Sequence, residues 1–74
     1  MIVEKMQKRG NTLKLTILTG RLNTFGQKHY IALATQRSNH KKLKHLFGKT
    51  VEVAEKGGIV SGLRLPGEEV WCEV

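Results

Sequence analysis

Seventy-four residues are enough for one domain and too few for a second core, and a single cysteine, Cys72, excludes an intramolecular disulfide and a cysteine-based zinc motif. No stretch approaches the roughly 20 apolar residues of a membrane-spanning helix. Together with a start, Met1-Ile-Val-Glu-Lys, that lacks a signal peptide's apolar run, this reads as a soluble cytosolic chain outside any membrane. The formal net charge is +7 and its distribution is lopsided, with +9 over residues 1–48 and −2 over 49–74. From Lys5 to Val51 there is no Asp or Glu, yet eleven cations: Lys5, Lys8, Arg9, Lys14, Arg21, Lys28, Arg37, Lys41, Lys42, Lys44 and Lys49. Soluble domains ordinarily intersperse both signs of charge. Cations without internal partners find their counter-charge outside the chain, and a polyphosphate backbone supplies it most densely.

Residues 1–11 read as a charged, irregular N-terminal segment ending at the turn pair Gly10-Asn11. From Thr12 to Leu22, Leu13-Lys14-Leu15-Thr16-Ile17 alternates apolar and polar with β-branched residues, the signature of a half-buried strand. Asn23-Thr24-Phe25-Gly26-Gln27 forms a hairpin loop, and His29 to Thr35 a second strand. That strand carries His29, Ile31 and Leu33 on one face and Tyr30, Ala32 and Ala34 on the other. The spacing then turns helical. Ser38 or Asn39 can cap a helix, Leu43, Leu46 and Phe47 make a stripe that must plug into the sheet, and Gly48 stops it. Thr50–Glu55, Ile59–Leu65 and Val70–Val74 read as three further strands, joined by turns at Gly57-Gly58 and Pro66-Gly67. The predicted architecture is mainly β: a five-stranded bent sheet or small barrel over residues 12–74, with one short helix at about 39–47.

The helix His40-Lys41-Lys42-Leu43-Lys44-His45 is the densest positive site, and it lacks the interleaved Glu that solvated helix faces use in i, i+4 pairs. Phosphate contact is its expected role. In the hairpin, Arg21 and Lys28 flank the tip and can grip phosphates. Phe25 either stacks on an unpaired base or folds back over the barrel end; Tyr30 reads as packing. Trp71 has Glu68, Glu69 and Glu73 nearby and reads as structural cover or a protein contact rather than a base-stacking group. Catalytic sets are missing from the sequence. There is no Asp, the later acids lie far in sequence from His29, His40 and His45, and the doublet Gly57-Gly58 opens no helix. The expectation is a non-enzymatic protein without metal or cofactor.

The run Leu43-Lys44-His45-Leu46-Phe47-Gly48-Lys49-Thr50-Val51-Glu52-Val53, continuing through Gly57-Gly58-Ile59-Val60-Ser61-Gly62-Leu63, resembles the opening of Sm-like RNA-binding proteins. The Asp and Asn of the Sm uridine pocket have no counterpart, so no base-binding residue carries over. Gly20-Arg21, Gly26, His29-Tyr30-Ile31-Ala32-Leu33 and Gly48-Lys49-Thr50-Val51-Glu52-Val53 together resemble AbrB-type swapped-hairpin DNA-binding proteins, without their proline after the second strand. By type, a short, very basic, Asp-free β chain resembles small ribosomal proteins, archaeal ones included.

These readings imply an RNA-binding component of the ribosome, in its large subunit, that contacts rRNA phosphates beside neighbouring ribosomal proteins. A homodimeric DNA-binding regulator is the alternative. The candidate nucleic-acid-binding residues are Lys5, Lys8, Arg9, Lys14, Arg21, Phe25, Lys28, Arg37, His40, Lys41, Lys42, Lys44 and Lys49.

Overall fold

The computed structural model describes residues 1–74 and contains six strands in two three-stranded antiparallel sheets. The first sheet has the order β1 (Ile2–Arg9), β2 (Thr12–Leu22), β3 (Lys28–Gln36). The second comprises β4 (Glu52–Lys56), β5 (Ile59–Arg64) and β6 (Cys72–Glu73), also in sequence order. Between the sheets runs a helical segment, with α1 (His40–Leu43) flanked by 3-10 turns at Arg37–Asn39 and Lys44–Leu46.

The expected irregular N-terminus is instead the strand β1, fully paired with β2, so the β domain does not begin at Thr12. A bulge between Val3 and Lys5 concealed it. Val3 opposes Ile17 and Met6 opposes Leu15, so two inward residues stand three apart and the strand loses its period of two. The bulge also re-aims the rest of the strand. Lys8 falls opposite Leu13 on the core side, whereas Lys5 and Arg9 fall opposite Thr16 and Thr12 on the outer side.

Val3, Leu13, Leu15, Ile17, Leu43, Leu46, Val51 and Leu63 form one buried cluster. Each buried aliphatic side chain contributes about 1.5–3 kcal/mol relative to exposure. Leu43 and Leu46 plug the helical segment into the sheet as expected; Phe47 does not, and is 54% exposed. The turn at Lys44–Leu46 has tightened to 3-10 geometry and Phe47 is extended at ψ 127°, which swings its ring off the helical stripe. Neither Ser38 nor Asn39 caps the helix through its side chain. Asn39 donates instead to the Thr35 hydroxyl at 2.7 Å, tying the segment to β3.

The sheets meet along β1. Gly48 N–H donates to the Val3 carbonyl at 2.7 Å, Val3 N–H to the Lys49 carbonyl at 3.2 Å and Val51 N–H to the Met1 carbonyl at 2.6 Å, with a bridge between Ile2 and Thr50. The sheet does not close into a barrel. On the far side, β3 keeps a free edge, and Ile31, Leu33, Ile59, Val60 and Val74 line an apolar groove of about 420 Å³ where the closing ladder would run. The expected C-terminal strand over Val70–Val74 shrinks to Cys72–Glu73. The accessible surface of 5286 Å² exceeds the roughly 4,600 Å² expected of a folded monomer of 8.3 kDa, which matches so open a layout.

Candidate nucleic-acid interface

The molecule contains one ion pair, Arg64 Nε to Glu52 Oε1 at 3.1 Å, and Arg64 also lies 4.3 Å from the centroid of the Trp71 ring. Arg64 lies outside the acid-free stretch. None of the eleven cations from Lys5 to Lys49 has a carboxylate partner, so folding leaves their charge uncompensated.

Four groupings emerge. On the outer face of the first sheet, the register places Lys5 beside Thr16 and Ala32, Lys14 between Gln7 and Ala34, and Arg9 beside Thr12 and Gln36. Lys5, Arg9 and Lys14 thus share one face, with Ile2, Leu18 and Tyr30 aligned in an apolar row toward its other end. Tyr30 is 41% exposed in that row, so its packing is partial.

Around the start of the helical segment, Lys8, Arg37, His40 and Lys41 converge with Asn11 and Ser38 on a cleft of about 550 Å³. Arg37 N–H donates to the Asn11 carbonyl at 2.9 Å and Arg37 Nη1 to the Gly10 carbonyl at 3.3 Å, fastening the segment to the β1–β2 turn. Lys42 points elsewhere, into a neighbouring cleft of about 620 Å³ that also contains Asn39 and Glu73. Lys44 is exposed on the second 3-10 turn, and Lys49 is exposed on the strap along β1.

The third grouping is the β2–β3 hairpin, at the opposite end of the first sheet from Gly10-Asn11. Asn23 builds its loop: Oδ1 accepts from Phe25 N–H at 2.9 Å and from Gln27 N–H at 3.0 Å, and Asn23 N–H donates to the Gln27 carbonyl at 2.8 Å. Phe25 stands out from this ordered tip at 86% exposure rather than folding back over the core. Below it, an irregularity between Leu18 and Leu22 is held by the Thr19 hydroxyl. That hydroxyl donates to the His29 carbonyl at 3.1 Å and accepts from Arg21 N–H at 3.2 Å. Arg21 and Lys28 are exposed on either side of the loop.

The fourth grouping is acidic. Glu55, Glu68, Glu69 and Glu73 are exposed on the second sheet and the loop before β6, leaving the first sheet and the helical segment almost purely positive. No three His, Cys or Glu side chains converge as a metal-binding group. Asn11 and Ser38 share the cleft with Lys8, Arg37, His40 and Lys41 and are not among the candidates drawn from the sequence. A strand before Gly10-Asn11 would have revealed them, because it makes that pair a hairpin turn abutting Arg37.

The chain matches no protein-family model, no curated protein and no solved structure.

Proposed function

We propose that this protein is a non-enzymatic RNA-binding protein that docks on folded RNA through phosphate contacts, in a ribosomal particle and most naturally its large subunit. The supporting observation is the set of eleven cations with no internal carboxylate partner, carried by the first sheet, its hairpin, the helical segment and the strap at Lys49. Such a surface carries self-repulsion that a bound polyanion relieves, and counterion release adds to the attraction. The dimensions suit a nucleic-acid backbone. At a rise of about 3.3 Å per residue, the 11 residues of β2 separate the cleft end from the hairpin end by about 30 Å, so the two ends can engage separate phosphates of one folded RNA.

Exposed Phe25 between Arg21 and Lys28 adds a stacking group that a folded RNA's unpaired bases can use. Apart from the Ile2–Leu18–Tyr30 row, outward-facing residues on the first sheet are Lys, Arg, Thr, Gln and Ala, a composition that favours reading shape and charge over base identity. The second sheet, with its acids and the Arg64–Trp71 stack, then faces solvent or a neighbouring protein.

The test is to isolate the untagged protein at low salt and identify what travels with it. The reading expects RNase-sensitive cosedimentation with ribosomal particles that survives modest salt. A DNase-sensitive complex with a stable homodimer would replace it with the DNA-binding alternative.

A further inference from the structure

The cleft bounded by the β1–β2 turn and the start of the helical segment differs from the rest of the positive surface. Lys42 shares its neighbouring cleft with Glu73 and the other cations stand on open faces or loops, whereas here Lys8, Arg37, His40 and Lys41 converge with Asn11 and Ser38, and no apolar or acidic residue lines the space. Three local devices produce this convergence. The bulge at Val3–Lys5 turns Lys8 to the core side of β1, at the end of the strand where that side opens. The Gly10-Asn11 turn supplies two carbonyls that hold Arg37 by its backbone N–H and by one guanidinium nitrogen. Asn39, bonded to Thr35, fixes the segment that carries His40 and Lys41.

Arg37 is thereby oriented while most of its five N–H donors stay free, the condition under which a guanidinium grips a phosphate with two parallel hydrogen bonds. The cleft is shallow and open to solvent, a shape that admits a phosphate carried within a chain as well as a free anion.

We infer that this cleft is a discrete phosphate-binding site, which takes one phosphate of a nucleotide chain together with its sugar. Arg37 is the bidentate ligand, Lys8 and Lys41 are flanking charges, and Asn11 is a neutral donor. It deepens the RNA-binding reading by naming where a phosphate is held in a fixed position, while its own chemistry requires only a phosphate. That phosphate belongs either to an internal diester or to a 5′ end.

The test uses the full chain, titrated with inorganic phosphate and then with one oligoribonucleotide, with and without a 5′-phosphate, while backbone amide NMR signals are followed. Inorganic phosphate should shift the Asn11, Arg37 and Ser38 amides saturably, and the exposed double variant Lys8→Gln/Lys41→Gln should abolish that saturation. A Lys56→Gln control should leave it intact. In RNA binding, the double variant should reduce the salt slope by about one unit, for the one phosphate held in the cleft. Tighter binding of the 5′-phosphorylated oligonucleotide assigns the site to a strand end; equal binding assigns it to an internal diester. Shifts that never saturate, or that persist in the double variant, would overturn the inference. The two readings fail separately. Full RNA affinity without a saturable phosphate response removes the cleft alone, and a saturable response without RNA binding removes the RNA reading alone.

Discussion

Individual side chains divide this molecule into parts that hold the fold and parts held out from it. Asn23 spends its amide oxygen on two backbone N–H groups of the hairpin loop, and Phe25 is left at 86% exposure by that arrangement. An ordered, exposed aromatic ring gains nothing for the isolated fold. Phe25→Ala should therefore leave thermal stability unchanged while weakening RNA binding by about 1–3 kcal/mol, the range for stacking on one base, as measured by fluorescence anisotropy. Unchanged affinity would remove stacking from the account.

Gly58 illustrates the opposite role. It closes the β4–β5 turn at φ 80°, next to Gly57 at φ 63°, with open space around the position of a Cβ. The cost of Gly58→Ala is then backbone strain alone, about 1–2 kcal/mol, or a lowering of the melting temperature by about 4–8 °C per kcal/mol. The turn chemistry of this pair was legible in the sequence because two adjacent glycines between apolar runs have few other uses. Arg64's shared engagement with Glu52 and Trp71 was not, since it depends on the pairing of Glu52 with Arg64 across two strands.

At the scale of elements, β2 and β3 were readable because Leu13, Leu15 and Ile17, and then Ile31 and Leu33, recur with a period of two, and the structure extends the second strand by only one residue at each end. β1 was not readable, because its bulge puts Val3 and Met6 three apart and the remaining positions are charged or polar. The register makes a sharp prediction at neighbouring sites. Met6 packs against the core and Gln7 faces outward, so Met6→Lys should cost about 1–3 kcal/mol in denaturant unfolding while Gln7→Lys stays within about 0.5 kcal/mol. Equal effects would contradict the bulge.

The helical segment was legible in position and in the anchoring of Leu43 and Leu46. Its tightening at Lys44–Leu46, which expels Phe47, follows from the connection to β1 through Gly48 and Lys49, a long-range constraint invisible to local spacing. This segment also carries cations without neighbouring acids. Lys41→Gln/Lys42→Gln/Lys44→Gln should keep the fold by circular dichroism and lower the RNA-binding salt slope by about three units. An unchanged slope would take the helical segment out of the interface.

For the whole molecule, the separation of charge between the two ends of the sequence becomes a separation between sheets. The first sheet and helical segment carry most of the unpaired cations, and the second sheet with its loop carries most of the acids. That division was legible from composition alone. The grouping of Lys8 with Arg37 and Lys41 was not, because it requires β1, its bulge and the turn at Gly10-Asn11 to be in place together. The failure of the barrel to close was also hidden, since the same strands in the same order are compatible with either outcome. The most direct test of the central claim is the salt dependence of binding to a folded RNA stem-loop, measured from 50 to 200 mM monovalent salt. Six to ten phosphate contacts predict a slope of log affinity against log salt of about −5 to −9, with a loss of about three to five decades across that range. A slope near zero, or no binding at the low-salt end, would contradict the account.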